Sequence, residues 1–221
     1  MIELEGLWKE RASMRAFRPE PIAREELVAL FGAAQRAPSW CNVQPWRVVV
    51  TEPPKTAELA KAMVAAATSG LPRAEVPFPL DYPPPYKQHR IACGAALYTA
   101  MGIAREDKAG RYDAWLRNYG FFDAPHVAIV ACDRRLGPYV YIDVGVWLGY
   151  LVTAAQAMGI DTCPMASVAA YPDALRASLP IADRDVILFG IALGHADRDA
   201  PANRTRTTRE PVEANVTFVG A

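Results

Sequence analysis

The chain of 221 residues has no surplus of either charge: 24 Lys and Arg balance 24 Asp and Glu, a formal net charge of +0 at pH 7. Nucleic-acid binders carry a basic excess on one face, so this balance argues against such a partner. Any anion site must come from local clustering. Histidine is scarce, with only His89, His126 and His195. The four cysteines, Cys41, Cys93, Cys132 and Cys163, form no C-x-x-C pair. The spacing of a zinc site is therefore missing, and free thiols in a reducing cytosol are the simplest reading. No G-x-G-x-x-G opens a β–α unit and no phosphate-binding G-x-x-x-x-G-K-[ST] loop occurs, which removes the Rossmann and P-loop modes. There is no repeat period. The start, "MIELEGLWKERAS", is acidic early and lacks the apolar segment of a signal peptide. A cytoplasmic protein is the expectation.

Long apolar runs are also lacking, with one exception. Residues 142–160, "IDVGVWLGYLVTAAQAMGI", approach the length of a membrane span. Asp143, Thr153 and Gln156 interrupt them, so they read as a central core helix, apolar nearly all round, and no membrane partner is expected. Gly145 and Gly149, four residues apart, would permit close helix–helix approach, across a dimer axis for instance.

Apolar residues make up 52% of the chain, and the length suits one domain with a sizeable core. Residues 3–11 read as a short helix, followed by an irregular "RASMRAFRPEPI". Residues 24–36 place Leu27, Leu30, Phe31 and Ala34 on one helical face, and Pro38 stops that helix. Further helices are expected over 54–70, 86–104, 107–122 and 172–179. Strands are expected at 46–51, 126–132 and 185–194, with "DTCPMAS" (161–167) as a turn region. Residues 71–86 hold six prolines, which no regular element survives; such a segment is a stiff excursion or a cover over a site. Residues 195–221 form a polar tail. The sum is α+β, a layer of sheet with helices around it.

Three clusters stand out. "RASMR" puts Arg11, Ser13 and Arg15 at alternate positions, one face of an extended chain and a good grip for an anion, or else a solvated charge patch. "RAPSWCNVQPWRVVV" (36–50) packs Ser39, Trp40, Asn42, Gln44 and Trp46 between a helix and a strand. The two amides suit the edge of a heteroaromatic ring and the tryptophans could wall a flat pocket; the plainer reading is a turn with aromatic packing. "NRTRTTREP" carries Arg204, Arg206 and Arg209 with no acid between them, a phosphate grip or a solvated tail. No catalytic base or nucleophile emerges, so a bound cofactor is expected to carry the chemistry.

Taken together and in order, R-x-S-x-R, A-P-S-x-x-N-x-Q-P-W, the central apolar helix, "GIDTCPMAS" and R-T-x-R-x-P over the full length resemble the FMN-dependent nitroreductase family, in wording nearest its nitrobenzoate-reductase-like branch. The resemblance implies an α/β sandwich with a central, antiparallel-type mixed sheet flanked by helices, and an intertwined homodimer with FMN at the interface. It implies a single domain over 1–221, with 71–88 as a Pro-rich lid and 195–221 as a C-terminal arm. Arg11, Ser13, Arg206 and Arg209, next to Ala12, would hold the phosphate, with Arg15 near the pyrimidine edge of the flavin. Pro38, Ser39, Trp40, Asn42 and Gln44 belong to the flavin turn, of which Pro38, Ser39, Trp40 and Asn42 would arrive from the partner. Pro164, Met165, Ala166 and Ser167 would line the ring near N5, with the backbone N–H of Ala166 or Ser167 as donor. The implied activity is ping-pong hydride transfer from NAD(P)H to a small aromatic acceptor, a nitroaromatic or quinone. Phe78, Tyr82, Tyr86 and Phe122 are the expected acceptor contacts. The chain departs from many members at Met165–Ser167, where an acid or Gly is common, and at Thr207, where a Lys is common. Alternatives are a reductive dehalogenase whose lid would use Glu75, Tyr82 and Lys87, a flavin-fragmenting enzyme, or a non-catalytic FMN-binding protein.

Overall fold

The computed structural model describes residues 4–220 and contains a four-stranded sheet with helices on both faces. The strands are β1 (Trp46–Thr51), β2 (His126–Asp133), β3 (Asp161–Met165) and β4 (Asp185–Gly194), in the order β1-β2-β4-β3, every neighbouring pair antiparallel. The helices are α1 (Leu4–Glu10), α2 (Arg24–Ala34), α3 (Lys55–Ser69), α4 (Tyr86–Ala100), α5 (Lys108–Leu116), α6 (Tyr141–Ala157), α7 (Pro172–Ser178) and a short α8 (Val212–Asn215).

Strand β2 shows why the sheet has two covered faces. Successive side chains of a strand point to opposite sides. Val127, Ile129 and Ala131 join a core with Leu59 and Met63 of α3 and Leu175 of α7. Ala128, Val130 and Cys132 join a second core with Leu27 and Leu30 of α2 and Val144, Trp147 and Leu151 of α6. A strand buried on both sides reads as a continuous apolar run, which is why "HVAIVAC" was legible. Gly190 of β4 is required where the layers close up: a Cβ there would lie 2.8 Å from Val168 Cγ2.

Three expectations need correction. The region 161–167 is not merely a turn; its first five residues are β3, paired to β4 from Asp161↔Gly194 to Met165↔Gly190. Pro164 is tolerated because β3 is the sheet's edge, where a missing N–H costs no ladder bond. The helical stretch at 107–122 stops at Leu116. Phe121, Phe122 and Asp123 then turn with φ of 53°, 55° and 65°, a left-handed stretch that ends regular helix. Finally, α6 is not covered all round within one chain. Val144, Trp147, Leu151 and Ala155 are buried, whereas Ile142, Val146 and Tyr150 are exposed. Although α6, with the turn before it, is long and apolar enough to cross a membrane, its inner face packs on the sheet and α2.

His126 closes the start of β2 from inside. Its Nε2 accepts from Ile22 N–H (2.9 Å), so the proton sits on Nδ1, which donates to Thr51 C=O (3.2 Å). Burial, opposed by these bonds and by Glu52, holds its pKa below 6.5. The unfolded chain therefore takes up this proton first as pH falls. The stabilisation is complete above about pH 6.5 and is lost on descending toward the folded-state value. We expect His126→Leu to lower unfolding free energy at pH 7.5 by about 1–3 kcal/mol, because two buried backbone groups lose their partner. It should also flatten the decline of stability between pH 7.5 and 5.5. Urea unfolding of both chains at the two pH values measures this, and equal declines would remove His126 as the source.

Candidate functional site

The segment after α1 is extended against the free edge of β3. Met14 N–H donates to Thr162 C=O (3.0 Å), and Ser13 forms a parallel bridge with Thr162. Met14 is buried, so alternation turns Arg11, Ser13 and Arg15 the other way. They line a cavity of about 560 Å³ together with Ala12, residues of α1, Cys93 and Leu97 of α4, and Thr205, Arg206, Thr207 and Arg209 of the C-terminal arm.

Asn203 brings the arm there. Buried, it accepts from Arg15 N–H through Oδ1 and donates through Nδ2 to Ala16 C=O (2.8 Å) and Asp197 C=O (2.7 Å). Every polar atom of its side chain is engaged, as a buried amide requires. The arm is thereby clasped to the extended segment, and Arg206 and Arg209 face Arg11 and Arg15.

Four guanidinium groups thus share one cavity. Among the described residues none of them has a carboxylate within 4.0 Å, and Arg15, Arg206 and Arg209 donate only to nearby backbone carbonyls and to Thr207 Oγ1. Burial and then the charge of Arg209 push the Arg11 pKa down, the response of a cation held among cations. Thr205 Oγ1, in the cavity wall, is buried without a partner. This donor set calls for a multiply charged oxyanion. Beneath it, burial raises the Cys163 thiol to about 11, with Arg15 and Arg11 opposing, so Cys163 stays protonated and unreactive near neutral pH.

Pro164 and Met165 end the same strand, beginning two positions beyond the Ser13 bridge, and Ala166 and Ser167 lead from it into a short helical turn. Met165 is buried, Ala166 is exposed, and Ser167 Oγ is buried without a partner. The turn at 38–44 stands elsewhere. Pro38, Ser39, Trp40, Asn42 and Gln44 take no part in the arginine cavity. Cys41, Asn42 and Gln44 adopt φ of 49°, 55° and 48°. Ser39 Oγ accepts from Gln44 N–H (2.9 Å) and Asn42 C=O from Gln44 Nε2 (3.1 Å). Trp40, 64% exposed, meets Tyr139 edge-on. Trp46, read from sequence as a second wall, is instead core: it stacks near Trp147 and donates to Gln35 Oε1 (2.7 Å).

The expected acceptor contacts do not converge within the chain. Phe78 borders a small apolar cleft of about 220 Å³ with Tyr141 and Phe189. Tyr82 lies under the Arg90 guanidinium, 5.3 Å from its ring centre. Tyr86 opens α4 beside a cavity of about 650 Å³ shared with Arg206, Arg209 and the His89–Glu210 pair (3.0 Å). Phe122 is a core side chain, 3% exposed, and its backbone carbonyl accepts from Phe17 N–H; packing, not acceptor contact, explains it. Glu75 pairs with Arg176 (2.8 Å) and Arg134 (2.9 Å) and accepts from Ile187 N–H. It therefore anchors the Pro-rich segment to β4 and is not free to grip an ammonium group, which removes the basis of the dehalogenase alternative. Among the described residues no group of three or more His, Cys, Asp or Glu could hold a metal ion.

Asn203 was missed as a contributor, and nothing local in the sequence marks it; Thr205 and Thr207 belong to the Thr- and Arg-rich tail read as a phosphate grip.

The family model described as the nitroreductase family matches residues 8–195. Nitroreductase NfnB of Mycolicibacterium smegmatis is 34% identical, covering 97% of this chain and 92% of its own length. A 4-nitrobenzoate reductase of Pseudomonas putida is 32% identical over 99% and 96%. The crystal structure of an FMN and NADPH-dependent nitroreductase NfnB from sphigopyxis sp. strain HMH superposes with a TM-score of 0.95 at 33% identity, covering both chains fully. That of the FMN-dependent NfnB from Mycobacterium smegmatis in complex with NADPH gives 0.93 at 32%, over 98% and 97%.

The arginine cavity makes a prediction that needs no assumption about the natural ligand. A ligand that binds only the folded state stabilises it, and the more so the further its concentration rises above Kd. At constant ionic strength, inorganic phosphate should raise the melting temperature of the ligand-free chain. Arg11→Ala combined with Arg209→Ala should abolish the rise. An undiminished rise in the double variant would place the anion elsewhere.

Proposed function

Given that the chain belongs to the nitroreductase family, we propose that it is an FMN-dependent NAD(P)H oxidoreductase that reduces nitroaromatic or quinone-type acceptors. The observation that carries this reading is the cavity of four guanidinium groups, none of them paired with a carboxylate among the described residues; the one acid in its wall, Glu5, is taken up by Lys9 (2.7 Å). The residues fit the cofactor: the charge cluster and the partnerless Thr205 hydroxyl suit a phosphate monoester.

FMN held there would supply the chemistry of hydride transfer between NAD(P)H and the acceptor. The chain's residues then have these roles. Arg11, Ser13, Arg206 and Arg209, flanked by Ala12 and Thr205, hold the phosphate. Arg15, clasped to Asn203 through its backbone, would place positive charge beside the bound ring and so favour its reduction. The backbone of Pro164, Met165, Ala166 and Ser167 would border the same ring. Asn42 and Gln44 would supply donors and acceptors to the ring, with Pro38, Ser39, Trp40 and Asn42 arriving from a second chain. Phe78, Tyr82 and Tyr86 shape acceptor access from the anchored Pro-rich segment.

A homodimer is part of the proposal. The outer face of α6 exposes Ile142, Val146 and Tyr150, and Cβ atoms added at Gly145 and Gly149 meet nothing within 4 Å. Such a face, apolar with two small residues one turn apart, suits a helix of another copy. The four free thiols agree with work in a reducing cytosol.

Purified protein should be yellow, release about one FMN per chain on denaturation, and oxidise NAD(P)H when a nitroaromatic is added. A colourless protein that takes up no added FMN would sink the proposal; a yellow one that leaves NAD(P)H untouched would make it a binding protein. Arg209→Ala should weaken FMN binding about ten- to a hundred-fold, the equivalent of roughly 1.5–3 kcal/mol for a charge-assisted contact. Arg204→Ala should change it little, because Arg204 Nη2 donates to Asp199 C=O (3.2 Å) away from the cavity. Equal, small effects in an equilibrium titration would mean the arm is merely solvated. Sedimentation should show a dimer, and a monomer that keeps FMN would contradict the two-chain site.

A further inference from the structure

The turn at 38–44 has an unusual support. Three of its residues, Cys41, Asn42 and Gln44, lie in the left-handed region without being glycine, a conformation that persists only where the surroundings impose it. Most of its hydrogen bonds are internal: Asn42 N–H to Ser39 C=O, Val43 N–H to Trp40 C=O, and Gln44 to Ser39 and Asn42. Among the described residues one hydrogen bond ties it to another element. Trp40 N–H donates to Asp143 Oδ1 at 3.0 Å.

Asp143 is an odd residue to find where it is. It is 7% exposed, next to Val144 and one turn from the buried Trp147. A buried carboxylate is costly unless it is bonded. Its Oδ2 has no donor within the chain. Two features offset the burial: the Trp40 N–H and its place in the first turn of α6, where the helix dipole favours an anion. A residue needed only to begin a helix could do so exposed. The carboxylate is instead turned inward, onto the backbone of the turn.

We infer that Asp143 is a positioning residue for the flavin site: its carboxylate sets the Trp40–Gln44 turn in the shape that meets the cofactor. The inference rests on the functional reading above and adds to it a residue that touches neither cofactor nor acceptor. It also links the turn to α6, where Asp143 borders the exposed face that carries Ile142, Val146 and Tyr150. One helix thereby presents the proposed dimer face and holds the turn offered across it.

The test compares Asp143→Ala with Asp143→Asn. Asparagine keeps an acceptor for Trp40 N–H and removes the buried charge; alanine removes both. FMN affinity should fall at least ten-fold in Asp143→Ala, with an altered visible circular dichroism of the bound flavin, and asparagine should restore most of both. A residue that merely supports α6 would lower the melting temperature and leave affinity and flavin signal alone, and that outcome overturns the inference. Amide hydrogen exchange in the FMN-free wild type gives a second reading should the alanine variant not fold. Trp40 N–H should be protected well beyond the neighbouring Cys41 N–H, and equal exchange would overturn the clamp. Because the exchange needs no FMN, its failure is distinguishable from failure of the functional reading, which a wild type without FMN uptake would show.

Discussion

One backbone hydrogen bond, Met14 N–H to Thr162 C=O, sets the geometry on which the site depends. It docks an irregular segment on the free edge of β3 and fixes its register. Register in an extended segment decides which side chains share a face, so this bond sends Met14 into the core and Arg11, Ser13 and Arg15 into the cavity. Asn203 then adds the arm to the same segment, and the arm adds Arg206 and Arg209. The site is therefore an edge site. It uses what a sheet leaves unsatisfied, an unpaired strand edge, as the base plate for a charge cluster, and covering that edge also protects it from pairing with other chains.

The same economy applies to α6. Its inner face, with Val144, Trp147 and Leu151, closes one of the two cores; its outer face stays open and apolar. Sequence alone presents such a helix as apolar all round. The difference between a helix buried in one chain and one buried half by a second chain is invisible in composition, because both kinds of burial ask for the same residues. Only the positions of Gly145 and Gly149, both on the open side, hint at which half awaits a partner.

Local patterns made much of the fold legible. Helical periodicity placed α2, α3 and α7 within a few residues, and β1, β2 and β4 appeared as apolar runs, the central β2 and β4 buried on both faces. β3 was lost behind the turn signal of Gly159 and the Pro at 164, because an edge strand can accept a proline that a central strand could not. Within the site, the alternating Arg11, Ser13 and Arg15 and the basic tail were readable because each cluster is contiguous. Asn203 and Asp143 were not. Their bonds span 188 and 103 residues, and nothing local marks an asparagine that clasps or an aspartate that turns inward. Aromatics misled for a related reason: a strand or turn that carries Trp46 or Phe122 does not say which way it points, and both point into the core.

The arrangement divides the labour. The arginine cavity is complete within one chain, whereas the turn at 38–44 lies apart from it. On the proposed reading, the phosphate end of FMN is held by one subunit and the ring by two. Binding and assembly are then linked, because a ligand that contacts both chains stabilises the pair over the separated subunits. The uncompensated guanidinium groups act in the same direction. Their mutual repulsion disfavours the empty cavity, and an anion relieves it. Among the described residues no group of three or more His, Cys, Asp or Glu could hold a metal ion, and on the proposed reading position and charge are what direct the flavin. Both are arranged here by groups that touch no substrate: a strand edge, a buried asparagine and a buried aspartate.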